Sequence, residues 1–531
     1  MTKSYITLFD TTLRDGAQTP GVDFSVDDKI SIANMLDEFG LDYIEGGYPG
    51  ANPTDTKFFE SPRTKSANFT AFGMTNRAGV SISNDPGIAA LTGSAASAIC
   101  YVAKAWDLHV KVALGCTNEE NIDSITASVK AAIDAGKEAL VDCEHFFDGY
   151  KANPSYALEC AKAAHDAGAR WVVLCDTNGG SQPEEIREIV EAVCKIIPGE
   201  NVGIHAHNDT DQAVANSLAA IEGGARQVQG TINGIGERCG NANLISLIPT
   251  LALKPHFAKR FEVGITEEKL KTITRLSRAF EELLNRAPHS QAPYAGSSAF
   301  ATKAGIHASA LIKDPSTYEH VKPESIGNVR NLMVSDQGGK SNFIDQLSKR
   351  GIEVSKSDPK LDTLISIVKE REAAGYAYEA AEASFELLAR RTLGTVPTFF
   401  NVESFRTTVE RRFNALGEVV TMSEAVVKLL IDGESFMSVA EGMGPVNALD
   451  KALRTDLGKY QKEIESLELV DFKVRILNGG TEAITRVLIE STDSSGERWW
   501  TVGVSDNIID ASFQALIDSL NYRLVKSEAG V

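Results

Sequence analysis

The segment Ile204-His205-Ala206-His207-Asn208-Asp209 places two imidazoles two residues apart, directly after Asn201-Val202-Gly203, which reads as a strand entering the core. Residues two apart on a strand project to the same side, so His205 and His207 face one side at the strand's C-terminal end. Neutral imidazole nitrogen is a common donor to divalent cations. An H-x-H on a solvated edge strand would need no such role. The metal reading is preferred because an arginine and a carboxylate, Arg14 and Asp15, follow the first apolar run, and an amide, Asn241, follows the last. Asp15, His205 and His207 supply one anionic oxygen and two nitrogens, an open ligand set to which Asn241 could add an amide oxygen. A divalent cation held there, Mg²⁺, Mn²⁺, Co²⁺ or Zn²⁺, suits chelation of an α-keto acid through its carbonyl and carboxylate oxygens and would act as a Lewis acid on the carbonyl. Arg14 would either stabilise the alkoxide formed on attack or pair with Glu45. Thr177 would hold the substrate carboxylate or cap the next helix. Glu144 reads as a base, an orienting group or an ion-pair member. Gly234, Gly236 and Gly240 admit a phosphate cradle or a tight turn.

Eight β-rich runs present these residues: Ile6–Asp10, Tyr43–Gly47, Phe69–Gly73, Ala98–Ala103, Ala139–Glu144, Trp171–Asp176, Val202–His207 and Gln227–Ile232. Amphipathic stretches such as Asp27–Phe39, Ile122–Ala135 and Leu244–Leu253 lie between them, and Ser25 with Asp28 reads as a capping box. Eight β/α repeats in about 250 residues have the size and order of a (β/α)₈ TIM barrel. A doubly wound open sheet would have fewer strands and a glycine-rich first turn, whereas the first turn here is Thr11-Thr12-Leu13-Arg14-Asp15-Gly16. Barrel enzymes carry their catalytic groups at the C-terminal strand ends, which is where Asp10, Glu45, Glu144, Asp176 and the histidine pair fall.

The chain has 531 residues, 43% of them hydrophobic and 24% charged, which suggests two to four domains. A net charge of -19 argues against a nucleic-acid partner, and no apolar run is long enough to span a membrane. Seven cysteines without a C-x-x-C pair read as reduced thiols of a cytoplasmic protein. The expected organisation is a barrel over 1–285, a helical linker and lid region over 286–395, and a C-terminal α+β domain over 396–531. The lid reading rests on a Gly-, Ser- and Lys-rich stretch that includes His307, a lone histidine of interest because a proton must leave a carbon acid. The last domain carries a duplication of ββα type: Gly433, Glu434, Val439, Ala448, Ala452 and Leu453 recur at constant offset as Gly496, Glu497, Val502, Ala511, Ala515 and Leu516.

Leu13-Arg14-Asp15-Gly16-Ala17-Gln18, with Lys29 beyond it, and His205-Ala206-His207-Asn208-Asp209, with Gly230-Thr231-Ile232-Asn233-Gly234-Ile235-Gly236-Glu237-Arg238 beyond it, resemble the two signatures of the isopropylmalate/homocitrate/citramalate synthase family. That family belongs to the DRE-TIM metallolyases. The resemblance extends through Lys303–His307, Tyr318 and the duplication. It implies an acyltransferase that condenses acetyl-CoA with an α-keto acid. It also implies Asp15, His205, His207 and Asn241 as metal ligands, Arg14 on the keto oxygen and Thr177 on the carboxylate. Glu144, His307 and Tyr318 would serve methyl deprotonation and thioester hydrolysis, and a homodimer would carry an end-product effector site in the C-terminal domain. Tyr43–Pro53 and Glu144–Lys151 look like the citramalate branch, for which the keto acid is pyruvate and the effector is isoleucine. The alternatives are 2-oxoisovalerate or 2-oxoglutarate as keto acid, a lyase of the same barrel, and a non-catalytic amino-acid sensor. Asp211 stands where the second signature has glycine, at a turn whose positive φ would favour glycine.

Overall fold

In the computed structural model, which describes residues 3–333, 339–413, 415–477 and 483–527, eight parallel strands close into a barrel in sequence order. They are β1 (Thr7–Asp10), β2 (Tyr43–Glu45), β3 (Asn68–Met74), β4 (Ala98–Lys104), β5 (Glu138–Glu144), β6 (Trp171–Asp176), β7 (Val202–Ala206) and β8 (Gln227–Gly230). Closure comes from β8 pairing β1, with Leu8 opposite Val228. All eight expected strands are present; β1 starts one residue later than expected, at Thr7, and three C-terminal ends are trimmed. β2 stops at Glu45 because Gly47 turns the chain at φ 130°. β8 stops at Gly230, and β7 stops at Ala206. His207 therefore lies one residue past its strand, in an isolated bridge to Asn241.

The period-2 pattern explains what fills the barrel. One set of alternate residues faces the surrounding helices. The other set faces inward, where Phe9, Tyr43, Ala98, Cys100, Leu140, Trp171 and Val173 form a closed apolar cluster. Further along the same inward rows the side chains become polar: Tyr43 gives way to Glu45, Leu140 to Asp142 and then Glu144, Gln227 to Gln229. The barrel thus has an apolar floor and a polar upper layer. The helix after β1, Val26–Phe39, opens with the expected capping box, Ser25 and Asp28 each accepting the other's backbone N–H, a device that stabilises by about 1 kcal/mol. Lys29 of that helix is buried and donates to Leu13 O (3.0 Å) and Gly46 O (2.8 Å) while pairing with Asp55. It fastens the β1 loop to the end of β2.

The chain divides into two compact units, Met1–Phe300 with His320–Arg330, and Ala301–Glu319 with Asn331–Val531. The second contains helices Gly305–Lys313, Lys340–Ser348, Pro359–Ala373 and Glu382–Leu393 and two antiparallel sheets, each followed by a helix. The sheets are β9 (Asn401–Phe413), β10 (Val419–Ile431) and β11 (Glu434–Gly442), before helix Pro445–Thr455, and β12 (Glu468–Ile476), β13 (Thr485–Thr492) and β14 (Arg498–Ser505), before helix Ile508–Lys526. The matched residues Ala448 and Ala511, Ala452 and Ala515, and Leu453 and Leu516 are all buried in one core. Each repeat holds one strand more than a ββα unit. The outer strands β9 and β12 are largely exposed on both faces, so they lack the apolar alternation that marks a strand in sequence.

Candidate active site

The polar upper layer converges on Asp15 and His205. Asp15 Oδ2 lies 3.4 Å from His205 Nε2, and the Asn241 amide nitrogen reaches both, at 3.3 and 3.1 Å. His205 and His207 ring centroids are 5.2 Å apart. All four side chains are buried, at most 8% exposed. The imidazole of His205 is held from behind. Its Nδ1–H donates to Gln229 Oε1 at 2.7 Å, and Gln229 Nε2 donates to Asp142 Oδ1 at 3.0 Å. This chain fixes one tautomer and leaves the Nε2 lone pair directed at Asp15, the arrangement that readies a histidine for a cation. His207 Nδ1 and Asn241 Oδ1 are buried and have no hydrogen-bond partner among the described residues. Two unmet lone-pair donors, beside a carboxylate and an imidazole Nε2 met only by the Asn241 amide, fit a divalent cation better than a closed polar network.

Arg14 takes up the ion pair expected of it. Nε donates to Glu45 Oε2 at 2.6 Å, Nη1 pairs with Asp15, and the guanidinium lies 3.9 Å over the Phe72 ring. Burial raises the Asp15 carboxyl, but the Arg14 guanidinium beside it outweighs that and holds the group below its ordinary range. Glu45 goes the other way: burial pushes it up to about 8 despite Arg14, with Asp142 adding to the rise. His207 is lowered to about 3 by burial and then by His205, which keeps it neutral and able to donate a lone pair.

Thr177, just past β6, does not cap the next helix, which opens with Gln182. Its hydroxyl accepts the His145 N–H at 2.8 Å. Glu144, at the end of β5, pairs with Lys104 at the end of β4. Arg238 clamps Asp209 at 2.7 and 2.9 Å and donates to Thr177 O at 2.8 Å, tying the loops after β6, β7 and β8 together. The glycine loop serves Asn241: a Cβ on Gly236 would lie 2.0 Å from Asn241 Oδ1. Asp211 does adopt positive φ, 59°, and Asn208 Nδ2 donates to its carboxylate at 3.3 Å. A short polar side chain that bonds locally tolerates this region best after glycine. His307 and Tyr318 belong to the second unit, where both are exposed and their rings pack at 4.3 Å.

Sequence reasoning missed Gln229, Asp142, Lys104 and Arg238. Gln229 and Asp142 carried a signal, since both occupy inward positions two residues beyond other inward residues, and Gln229 is the register partner of His205. Gln229→Leu is expected to weaken divalent-metal affinity about 10–100-fold, because the imidazole loses its tautomer anchor. Competition with a chromophoric chelator measures this, and an unchanged affinity would contradict the role.

Comparison with known proteins gives the class of this barrel. Residues 5–278 match the HMGL-like family model, 295–374 the homocitrate synthase post-HMGL domain-like model, and 379–524 the LeuA allosteric (dimerisation) domain model. Similar curated proteins include the (R)-citramalate synthase of Aquifex aeolicus, 48% identical over 98% of both chains. The (R)-citramalate synthase of Geobacter sulfurreducens is 47% identical over 99% of this chain and 98% of its own. The 2-isopropylmalate synthase of Ruminiclostridium cellulolyticum is more distant, at 30% over 97% of both. The chain belongs to the (R)-citramalate synthase family within the HMGL-like barrel enzymes.

Proposed function

We infer that this chain is a metal-dependent acyltransferase that condenses acetyl-CoA with pyruvate and hydrolyses the thioester, giving (R)-citramalate and CoA. The observation that carries the reading is the meeting of Asp15, His205 and Asn241 beside Arg14, in a chain whose near-full-length relatives are (R)-citramalate synthases. Asp15, His205, His207 and Asn241 would hold the cation. When bound, it supplies Lewis-acid polarisation of the keto carbonyl.

The chain's own groups do the rest. Glu45 and Phe72 hold the Arg14 guanidinium beside Asp15, a cation placed for the alkoxide that forms as the acetyl carbon bonds to the keto carbon. Thr177, its hydroxyl already accepting from His145 N–H, keeps its own proton for the pyruvate carboxylate. The acetyl methyl must lose one proton, and the thioester must then accept water. Glu144 is assigned to proton handling from its place at the end of β5, and His307 and Tyr318 on the family resemblance alone.

The LeuA-type match supports a homodimer with an end-product effector site, and the branch favours isoleucine as the effector of a threonine-independent route to that amino acid. All seven cysteines are free, which supports a reducing cytoplasmic setting.

Thiol release measured with DTNB for pyruvate, 2-oxoisovalerate and 2-oxoglutarate is expected to be fastest with pyruvate. One or two extra methylenes cost about 1–3 kcal/mol in a pocket fitted to the smaller acid, roughly 10–200-fold in kcat/KM. A faster rate with 2-oxoisovalerate would move the assignment to isopropylmalate synthesis. Millimolar isoleucine is expected to inhibit, and unchanged turnover at that level would remove the effector assignment while leaving the chemistry intact.

A further inference from the structure

At the same barrel rim, a second group of donors lies outside the Asp15, His205, His207 and Asn241 ligand set, and it shares Glu144 with the proton handling assigned above. His109 ends the short helix Asp107–His109 after β4, and Glu144 and His145 end and follow β5. One donor atom from each of the three lies within 4.8 Å of the other two. We propose that His109, Glu144 and His145 form a second divalent-cation site, for a late transition metal such as Zn²⁺ or Co²⁺.

Four observations support it. First, His145 is a non-glycine residue at φ 55°, a conformation that costs energy and persists where the surroundings demand it. This conformation accompanies a ring position only 4.2 Å, centroid to centroid, from His109. Second, His145 Nδ1–H donates to Asp148 Oδ2 at 3.4 Å, and Asn178 Nδ2 holds that same oxygen at 2.8 Å. A carboxylate behind one ring nitrogen leaves Nε2 as a lone-pair donor, the usual support for a metal-binding histidine. Third, the His109 ring stacks on Trp106 at 5.1 Å and 14°, and its nitrogens have no hydrogen-bond partner among the described residues. Fourth, Lys104 occupies only Oε2 of Glu144, and the other carboxylate oxygen remains to bind. Two imidazoles and a carboxylate with open positions suit zinc or cobalt, whose bonds of about 2.0–2.2 Å would draw the three donors closer together.

The test uses metal-stripped full-length protein titrated with Co²⁺, followed by visible absorption and equilibrium dialysis. Wild type is expected to bind two equivalents. His109→Gln, at a half-buried ring on the end of a short helix, is expected to bind one. His205→Ala is expected to keep the equivalent that His109→Gln loses. Asp148→Asn should weaken that equivalent about 10–100-fold without changing the other. If wild type binds a single equivalent that His205→Ala abolishes, the proposal fails. It fails equally if His109→Gln, folded by circular dichroism, still binds two. The wild-type stoichiometry decides even where a variant does not fold, and neither readout depends on turnover, so the assigned reaction stands or falls separately.

Discussion

His205→Ala is expected to lower citramalate formation about 10²–10⁴-fold, the rate equivalent of losing several kcal/mol of Lewis-acid stabilisation. The loss should follow metal content rather than folding. His205 Nε2 faces Asp15 Oδ2, and its Nδ1 is engaged by Gln229, so alanine removes one cation donor and strands Gln229 Oε1 in a buried setting. An unsatisfied buried acceptor costs about 1–3 kcal/mol, which should appear as a lower Tm. Metal analysis, circular dichroism and turnover on one preparation separate the two effects. A folded variant with wild-type turnover would remove His205 from the mechanism.

Arg14→Lys is expected to reduce kcat about 10²–10³-fold, the range for deleting one preorganised donor to a developing oxyanion. The substitution keeps the charge and loses the geometry. The guanidinium bonds Glu45 through Nε, pairs with Asp15 through Nη1 and stacks over Phe72. One ammonium cannot span two carboxylates and a ring face in fixed directions. Glu45 would then sit buried with weaker compensation. Burial already raises its carboxyl, and loss of the guanidinium raises it further, so it would stay protonated to higher pH than in the wild type. Metal stoichiometry should be unchanged while kcat falls. Loss of bound metal, or a kcat close to wild type, would contradict the role given to Arg14.

The barrel was legible because its strands are short apolar runs separated by amphipathic helices, and because C-terminal strand ends collect ionisable residues. The Asp15–His205–Asn241 meeting was legible for the same reason, each residue lying near the end of a named strand or in the loop that follows it. The support behind it was not. Asp142 and Gln229 are 87 residues apart and become neighbours only through strand register across β5 to β8, which a local pattern does not encode. The Glu144–Lys104 pair needs two strands in register, Lys104 opposite Glu144. His109 and His145 carry no local signal as a pair, and only the fold sets their rings 4.2 Å apart. In the second unit the recurrence marked β11 and β14 ahead of their helices, and the ββα reading fell one strand short in each repeat, where β9 and β12 have exposed faces that leave no apolar row.

Anomalous diffraction from crystals of the Mn²⁺-loaded protein tests the central claim most directly. The account predicts a peak enclosed by Asp15, His205 and His207, at bonding distance from the Asp15 carboxylate and both imidazoles. Loaded crystals with no peak among those three side chains would contradict it.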